Sequence, residues 1–454
     1  MPTKGKKFFI ETFGCQMNVL DSERAAAQLQ RCGYRWTEEI GEADFILFNT
    51  CAVRERPAEK VYLRVQEIRR HKKPQAVIGV MGCVAQAEGQ RLIERAPEIR
   101  LVMGTQAVTH LPSLIKQLEA GVEALVDVRA PNRAEFDELA PEQRRHRHVA
   151  YVTIMEGCDK FCTFCIVPFT RGRERSRSPE RILAELRALA DQGTREVILL
   201  GQNVNSYGLG RRIEGQHRMG FADLLHLLGA RSRIPRIKFT TSHPRDFSQA
   251  IVLAMETWPA LCPWIHLPPQ SGSNRMLAMM NRGYTREDYL RKVAVIRRSS
   301  LDLSLTGDVI VGFPGETDED FRQTVELVRE AEFDSLYIFK YSPRPWTVAN
   351  KWADSVPDGV KTARLRELVE FQRQVQNRRW QRYLGREIDV LVEGRSTKSG
   401  QHWSGHTPCH KVINFESSSD NLDGLIARVE VMKVNPHSLF GRHVEPVLAR
   451  PKRN

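Results

Sequence analysis

The sequence predicts an α/β protein made of three units in chain order. The first, at 6–128, is expected to be a parallel α/β unit of the Rossmann-like or flavodoxin-like type. The second, at 145–376, is expected to be a partial (βα)6 barrel of the TIM type, and the third, at 378–446, a small antiparallel β-barrel of the OB-like type. Three observations support this division. The 454 residues exceed one ordinary core, strand-like and helix-like runs alternate over most of the chain, and the last part holds only short strand-like runs.

In the first unit, apolar strand-like runs lead into helix-like stretches. The strand-like runs are residues 8–13, 45–50, 77–81 and 101–104. Cys15, Cys51 and Cys83 each come just after one of them. Because the carboxyl ends of parallel strands lie side by side, the three thiols can converge in space as ligands. Isolated buried cysteines are common, however, so the pattern alone also fits packed core thiols.

Six strand-like runs separated by helix-like stretches define the second unit. They are residues 151–155, 197–200, 237–241, 265–267, 303–311 and 336–341. Six βα repeats predict an open, partial barrel whose active site lies at the C-terminal ends of the strands. A polar stretch at 131–148 is interpreted as the linker before it.

A long helix-like stretch at 363–383 leads from the second unit into the third. Short strand-like runs at 388–392, 411–415 and 425–434 are broken by Gly and Asn residues. This pattern favours a small antiparallel barrel, a fold that commonly binds oligonucleotides on one face.

The charge and cysteine content indicate a nucleic-acid partner and a reducing compartment. Lys and Arg number 68 against 55 Asp and Glu, a net charge of +13, which favours a polyanionic partner. The nine cysteines, without the pattern of an export signal, suit metal binding better than disulfides. We therefore expect a cytoplasmic protein, and no apolar run approaches the length that crosses a membrane.

The most informative motif is a C-x3-C-x2-C triple on the loop after the apolar run 149–155. It consists of Cys158, Cys162 and Cys165. Closely spaced thiolates are typical ligands of iron–sulfur clusters or zinc. Structural zinc prefers four ligands, whereas three cysteines on a four-iron cluster leave one iron open for a small molecule. A structural metal knuckle or a chance group of core thiols is the less favoured interpretation.

Three groups of sequence segments resemble known protein families. The stretch Glu156-Gly157-Cys158-Asp159-Lys160-Phe161-Cys162-Thr163-Phe164-Cys165 resembles the signature of the radical S-adenosylmethionine (SAM) enzymes. The first unit resembles the N-terminal domain of their methylthiotransferase family in the strings Thr12-Phe13-Gly14-Cys15-Gln16-Met17-Asn18, Asn49-Thr50-Cys51 and Met81-Gly82-Cys83-Val84-Ala85-Gln86. Segments 391–394, 405–407 and 412–415 resemble the TRAM domain, an RNA-binding module. The resemblance extends from about residue 6 to about residue 446.

The resemblance implies two [4Fe-4S] clusters and SAM as cofactors. Cys158, Cys162 and Cys165 are then the catalytic metal ligands of the SAM-cleaving cluster, and Cys15, Cys51 and Cys83 are the ligands of an auxiliary cluster that carries or supplies sulfur. One SAM methylates that sulfur, and a second yields the radical that abstracts hydrogen from an inert C–H bond, chemistry that side chains alone do not provide.

The resemblance also implies a substrate and partners. We expect a transferase that inserts sulfur and a methyl group at C2 of N6-isopentenyladenosine at tRNA position 37, beside the anticodon. The product would be 2-methylthio-N6-isopentenyladenosine. The expected partners are the tRNA anticodon stem-loop, an electron donor and a donor of sulfur or of an iron–sulfur cluster, and the protein is expected to be a monomer with no membrane partner.

Residues past the barrel strands are predicted to bind SAM. Gln202, Asn203, Ser271 and Asp308 could hydrogen-bond it, and Gly312 could let the backbone approach the nucleoside closely. Their position beyond strand ends is the basis, although an ordinary turn role is compatible with each of them. His243 and His266 are also near strand ends and receive no role.

An arginine-rich run, residues 170–177, follows the cysteine loop directly. It could be a solvated basic face. Its position beside the loop instead favours contacts to RNA phosphate or to the carboxylate of SAM, because the planar guanidinium binds such anions in a bidentate manner.

Two other functions fit the sequence. One is a sister methylthiotransferase that acts on threonylcarbamoyladenosine in tRNA or on an aspartate of a ribosomal protein. The other is a non-catalytic RNA-binding iron–sulfur protein that senses redox state, which would not cleave SAM. The net positive charge favours RNA over protein as substrate.

Overall fold

A computed structural model describes residues 5–52, 57–129, 136–145, 147–210, 212–216, 219–397 and 399–444. It confirms the predicted fold class in all three parts: a parallel α/β sheet, an open (βα)6 barrel and a closed five-stranded β-barrel. Residues 131–135 and 146 of the predicted linker, and the predicted end of the third unit at 446, lie outside the described residues.

The first part is a six-stranded parallel sheet with helices on both faces. Its strand order is β2-β1-β3-β4-β5-β6. The strands are β1 (Lys7–Phe13), β2 (Arg35–Trp36), β3 (Phe45–Thr50), β4 (Val77–Gly82), β5 (Ile99–Met103) and β6 (Leu125–Asp127). The helices are α1 (Gln16–Arg31), α2 (Pro57–Ile68), α3 (Cys83–Glu88), α4 (Arg91–Arg95) and α5 (Leu111–Glu119). Every residue of β3 is buried, as expected of a central strand covered on both faces.

The second part is the open barrel. Its six main strands are β7 (Val149–Thr153), β10 (Glu196–Leu200), β12 (Arg236–Phe239), β13 (Trp264–His266), β14 (Ser304–Val311) and β15 (Ser335–Lys340). They form two three-stranded halves, β12-β10-β7 and β13-β14-β15. A small side sheet contains β8 (Met155–Glu156), β9 (Arg175–Ser176) and β11 (Arg212–Ile213).

The α-helices of this part follow in chain order. They are α6 (Val167–Thr170), α7 (Pro179–Asp191), α8 (Phe221–Arg231), α9 (Gln249–Thr257), α10 (Asn274–Met279), α11 (Arg286–Arg297), α12 (Asp318–Ala331) and α13 (Asp358–Trp380). Several begin at a sequence-encoded cap. The Ser178 and Thr317 side chains accept a hydrogen bond from the first turn of α7 and α12, which satisfies a backbone N–H that the helix leaves free.

The third part is a closed barrel in the order β16-β17-β18-β20-β19. Its strands are β16 (Glu387–Arg395), β17 (Trp403–His406), β18 (Val412–Glu416), β19 (Ile426–Val434) and β20 (Leu439–His443). Four neighbouring pairs are antiparallel, and β18 and β20 are parallel. The sequence predicted three of these strands. β17 and β20 were missed, and each contains a glycine, Gly405 or Gly441, a residue type that is depleted in strands.

Part of the concave face of the open barrel is covered by the first part of the chain. Val197 and Leu199 of β10 pack outward against the barrel helices. Ile198 and Leu200 alternate with them and pack against Met17 and Leu20 of α1. The period-two alternation of a strand explains this division. Helix α1 therefore closes the open side of the barrel over β7 and β10.

The N-terminal end of the barrel is closed by the loop between β17 and β18. The Lys238 side chain is fully buried, forms an ion pair with Glu196 at 2.9 Å and donates to the Thr407 carbonyl at 3.2 Å. The His410 ring stacks on Trp264 with centroids 4.1 Å apart. We call residues 406–411 the floor loop. It fixes the third part to the barrel through buried contacts. Within the described residues, no helix is both long and apolar enough to cross a membrane.

Candidate active site

The C-x3-C-x2-C loop follows β8 and is held by backbone contacts from several elements. The N–H of Cys158 donates to the Gly172 carbonyl at 3.2 Å, and that of Thr163 donates to the Met280 carbonyl at 3.1 Å. Gly157 has φ +76°, and a Cβ there would collide with the Arg173 carbonyl. Glycine is required at this turn because other residues rarely adopt positive φ. The loop geometry is therefore fixed before any ligand binds.

The thiols of this loop lie in an apolar environment with one buried cation. Burial raises the pKa of Cys158 and of Cys165 to about 12, and the charge of the neighbouring Cys162 adds to both shifts. The Arg282 guanidinium donates to the Cys162 sulfur at 3.2 Å and is itself buried. Such thiols become thiolates only when a strong positive charge arrives, which is what a metal cluster supplies.

His243 lies beside the same sulfur. Its Nε2 is 4.0 Å from the Cys162 Sγ, and its Nδ1 accepts the backbone N–H of Arg245 at 3.2 Å. Burial, with Arg282 nearby, lowers the pKa of His243 far below its usual value. The ring is therefore neutral, with Nε2 carrying the hydrogen that faces the sulfur.

The three cysteines of the first part lie at one edge of its sheet. Cys15 is the N-cap of α1, Cys51 follows β3, and Cys83 begins α3. A hydrogen bond from Cys51 lowers the pKa of Cys15 to about 6, against an opposing effect of burial. Cys51 and Cys83 are buried. The predicted convergence of strand ends thus brings Cys15 and Cys51 into contact.

A pair of buried asparagines supports this edge. Asn18 Nδ2 donates to Asn49 Oδ1 at 2.9 Å, and Asn49 Nδ2 donates to the Asn18 carbonyl at 2.7 Å. The Cys15 sulfur is 3.3 Å from Asn18 Oδ1. Gly82, just before Cys83, has φ +95°, and a Cβ there would collide with Asn49 and Thr50. The asparagines therefore join the turn after β1 to the end of β3.

Arg171 connects the two sets of cysteines. It follows α6, the short helix after Cys165, and α6 packs against α3. Its guanidinium donates to Asp21 of α1 at 2.6 Å. Burial lowers the pKa of Arg171, but Asp21 and the thiols of Cys83 and Cys15 outweigh this effect and raise it well above its usual value. An arginine of the barrel thus faces the thiols of the first part.

The donor sets suit multinuclear clusters better than single ions. Each set provides three thiols, and across the described ranges no group of three Cys, His, Asp or Glu side chains could hold a single metal ion. A zinc site would require a compact tetrahedron of four ligands. Three thiols beside a buried arginine fit a larger, anionic iron–sulfur cluster, since all-thiolate ligation is typical of such clusters.

The predicted SAM-binding residues fall into two groups. Gln202 lies beside the cysteine loop, where its Oε1 accepts the Gly157 N–H at 2.5 Å. Asp308 faces the barrel interior and lies 3.4 Å from His266 Nε2. The other three have internal roles. The Asn203 amide donates to Asp246, the Ser271 hydroxyl bonds with Thr324, and the Gly312 N–H donates to Glu316. SAM binding by all five stays a prediction.

The expectation for the arginine-rich run was wrong for three of its residues. Arg171, Arg175 and Arg177 are buried or nearly so and pair with carboxylates of the protein. Only Arg173 has a largely exposed side chain, and it pairs with Asp159 at 2.8 Å. The run mainly joins the cysteine loop to the rest of the fold, because burying an arginine requires a partner charge.

Sequence reasoning also missed Arg282 and did not assign His243. Arg282 lies in the turn Asn281-Arg282-Gly283-Tyr284 after α10, far from the cysteine loop in sequence. No local pattern marks it. His243 lies past the end of β12, where ligand sites form in such barrels, and that position was the available signal.

Family models match all three parts of the chain. Residues 7–104 match the uncharacterized protein family UPF0004, residues 152–328 match the radical SAM superfamily, and residues 381–444 match the TRAM domain. Together with the open barrel and its three-cysteine loop, these matches define a radical SAM enzyme, a class that uses a [4Fe-4S] cluster and SAM.

Relatives along the full chain give the particular family. The chain is 45% identical over 441 residues to the tRNA-2-methylthio-N(6)-dimethylallyladenosine synthase of Solibacter usitatus, covering 96% of this chain and 98% of the relative. The synthase of Koribacter versatilis is 43% identical over 97% and 98%, and that of Aquifex aeolicus 42% identical over 97% and 99%. The chain therefore belongs to the tRNA-2-methylthio-N(6)-dimethylallyladenosine synthase family.

A solved structure shares the fold at lower similarity. The radical S-adenosylmethionine methyltransferase TsrM from Kitasatospora setae, with cobalamin and a [4Fe-4S] cluster bound, superposes with a TM-score of 0.56. The identity is 17%, and the match covers 77% of each chain. At this identity the similarity concerns architecture alone.

Proposed function

We propose that this protein is a tRNA methylthiotransferase that converts N6-isopentenyladenosine at tRNA position 37 to its 2-methylthio derivative. The observation that carries this proposal is the full-length similarity to relatives bearing that name, at 42–45% identity. The two separate sets of three cysteines support it, because sulfur insertion needs a sulfur source in addition to the radical.

The residues around each site have distinct roles in this proposal. Cys158, Cys162 and Cys165 hold the SAM-type cluster, and Cys15, Cys51 and Cys83 hold the auxiliary cluster. When bound, the two clusters supply the electron for SAM cleavage and the sulfur, respectively. Arg282 and Arg171 each place a fixed positive charge beside one set of thiolates, which stabilises the anionic ligands.

The remaining partners follow from the chemistry. Reduction needs an external electron donor, and repeated turnover needs a donor of sulfur or of a new cluster. The TRAM domain and the net charge of +13 support binding of the tRNA anticodon stem-loop. A cytoplasmic monomer is the state we propose.

The test is anaerobic reconstitution with iron and sulfide, followed by reaction with SAM, a reductant and tRNA carrying N6-isopentenyladenosine. Mass spectrometry of the digested nucleosides should show the methylthio derivative only when SAM and reductant are both present, together with 5′-deoxyadenosine. Cys32→Ala is the matched control, because Cys32 belongs to neither set of thiols.

Two results would contradict the proposal in different ways. Formation of 5′-deoxyadenosine without modification of N6-isopentenyladenosine, together with methylthio transfer to threonylcarbamoyladenosine in tRNA or to a ribosomal protein, would indicate a sister enzyme. No 5′-deoxyadenosine at all, in a protein that loads clusters and binds RNA, would indicate a non-catalytic redox sensor.

A further inference from the structure

The exposed aromatic side chains of the protein are concentrated in two segments. Of the Phe, Tyr and Trp side chains in the described ranges, five are exposed. They are Phe161, Phe169, Tyr337, Phe339 and Trp346. Two belong to the cysteine loop or the helix that follows it, and three belong to β15 or the loop after it. Large exposed rings gathered in one region indicate a binding surface.

Two of these rings contact each other across the two segments. The centroids of Phe169 and Trp346 are 6.3 Å apart, with the ring planes tilted by 56°. Phe169 is 45% exposed and Trp346 48% exposed. We call this pair the aromatic platform. Rings that could have packed into the core instead form a pair in solvent.

The backbone holds the platform in place. Thr347 and Ala349 are buried, whereas Trp346 and Val348 between and beside them are exposed. The Ala349 N–H donates to the Thr163 carbonyl of the cysteine loop at 2.9 Å. On the other segment, Pro168 and Thr170 are buried on either side of Phe169. Both rings are therefore presented outward from anchored backbone beside the cysteine loop.

Trp346 also has a strained backbone. Its φ is +65°, a conformation that is unfavourable for a bulky residue and is typically retained at functional sites. Phe161, another exposed ring, has φ +48° and lies under the Arg173 guanidinium at 4.9 Å.

Tyr337 and Phe339 extend the exposed rings along the inner face of β15. Leu336 and Ile338 pack outward against the barrel helices, so the alternating Tyr337 and Phe339 lie on the opposite, inner face of the strand. The Tyr337 ring is 6.3 Å from that of His266, which contacts Asp308. The exposed rings therefore lead from the cysteine loop toward the barrel interior.

We propose that the aromatic platform of Phe169 and Trp346 binds a nucleobase of the single-stranded anticodon loop next to the target adenine. The inference rests on the proposed tRNA substrate. C2 of a loop adenine is reached only when the base leaves its stack, and its neighbours then need new stacking partners. Aromatic rings provide such partners without sequence selectivity, and the net positive charge suits an RNA over a neutral ligand.

The experiment measures the affinity of the reconstituted protein for an anticodon stem-loop RNA and for the same stem as a blunt duplex without the loop. Phe169→Ala and Trp346→Ala should each weaken stem-loop binding about tenfold, within the range for loss of one stacked base. Duplex binding should not change. Leu253→Ala and Val369→Ala are matched controls, since both residues are about half exposed on outer helices.

Two further readouts separate stacking from other effects. The slope of log K against log salt should be the same in the wild type and both variants, because no phosphate contact is removed. Trp346→Gly should raise the melting temperature by relieving the positive φ while still weakening stem-loop binding, and Trp346→Phe should restore the affinity. A merely structural tryptophan would move stability and affinity in the same direction.

Several outcomes would overturn the inference. Equal affinities for the Phe169→Ala, Trp346→Ala and control variants would exclude the platform as an RNA contact. Weaker SAM binding with unchanged RNA binding would assign the rings to the cofactor. A change in sedimentation alone would assign them to a contact between two copies. If the wild type binds no stem-loop RNA, the proposed function itself fails, which is a different result from unaffected variants.

Discussion

The two sets of cysteines lie at corresponding places, past the carboxyl ends of parallel strands, but they are built in opposite ways. Cys158, Cys162 and Cys165 belong to one loop, whose shape is fixed by local contacts. Cys15, Cys51 and Cys83 come from three separate turns at one edge of the sheet, so their arrangement depends on the sheet having formed. We call the first set the loop site and the second the dispersed site. The geometry of the loop site depends on one loop, whereas that of the dispersed site depends on the whole sheet.

Their electrostatic environments also differ. Burial raises the pKa of Cys158 and Cys165 to about 12, whereas the Cys51 hydrogen bond lowers that of Cys15 to about 6. These directions favour the protonated thiol at Cys158 and Cys165 in the metal-free protein and the thiolate at Cys15. Cluster loading must therefore displace protons from Cys158 and Cys165, whereas Cys15 gives up its proton more easily.

The largest expected effect comes from removing one set at a time. Cys158→Ala/Cys162→Ala/Cys165→Ala should abolish both 5′-deoxyadenosine formation and methylthio transfer. Cys15→Ala/Cys51→Ala/Cys83→Ala should abolish methylthio transfer but retain SAM cleavage. Each variant should lose about half of the iron, measured per chain after reconstitution. If both triple variants lost SAM cleavage and folded normally, the two sites would not be functionally separate.

A smaller effect is expected from the two buried arginines. Arg171→Gln leaves Asp21 buried with a weaker partner and should cost about 3 kcal/mol of unfolding free energy, as for other broken buried ion pairs. Arg282→Gln should cost less, about 2 kcal/mol, because its partners are a thiol, a carbonyl and a hydroxyl. Urea unfolding of the metal-free protein measures both.

The partner variant provides the control for this pair. Asp21→Asn combined with Arg171→Gln should recover part of the lost stability, because it also removes the buried carboxylate that is left with Arg24, at 3.4 Å, as its remaining cation. Equal losses for Arg171→Gln and Arg282→Gln, without such recovery, would contradict an ion-pair role for Arg171.

The glycines of the two sites should differ in which cluster they affect. Gly157→Ala should destabilise the protein by about 1–3 kcal/mol, because it combines positive φ with a backbone collision. It should lower the iron content of the loop site alone. Gly82→Ala should do the same for the dispersed site, and Gly121→Ala, with positive φ but free space, is the control. Iron analysis in the two triple-cysteine backgrounds distinguishes the sites.

The smallest effect is a difference in thiol reactivity. Since the thiolate is the nucleophile, alkylation of Cys15 by iodoacetamide in the metal-free protein should be half-maximal near pH 6 and complete by pH 8. Cys158 and Cys165 should remain unlabelled at pH 8. Peptide mass spectrometry after a short pulse measures each site, with Cys32 as reference. Labelling of Cys158 at a lower pH than Cys15 would contradict the predicted difference in thiol pKa between the two sites.

The same contrast explains what the sequence could predict. The fold class was predicted from the periodicity of apolar residues and from the alternation of strand-like and helix-like segments, which are local properties of the chain. The loop cysteines were visible as a motif, and the dispersed ones as thiols after strands. The sequence predicted that Arg171 contacts RNA phosphate or SAM. Its actual partner, Asp21, lies 150 residues earlier, and no local pattern indicates that the two form an ion pair.

Contacts between parts of the chain were the main features that could not be predicted. The floor loop closes the barrel by pairing Lys238 with Thr407, and its residues look like an ordinary turn in sequence. β17 and β20 were not recognised, and the glycine in each weakens the strand-like pattern of the sequence. Short elements and buried polar pairs depend on tertiary partners, which a single sequence does not reveal.

The floor loop has a consequence for how the TRAM domain can be studied. Deleting residues after α13 would expose the buried Lys238 and leave Glu196 and Trp264 open to water. A truncated protein that no longer modifies tRNA would therefore report a damaged barrel as much as a lost RNA contact. Point substitutions on the outer strands of the small barrel test RNA binding more specifically, because they leave the floor loop in contact with the catalytic barrel.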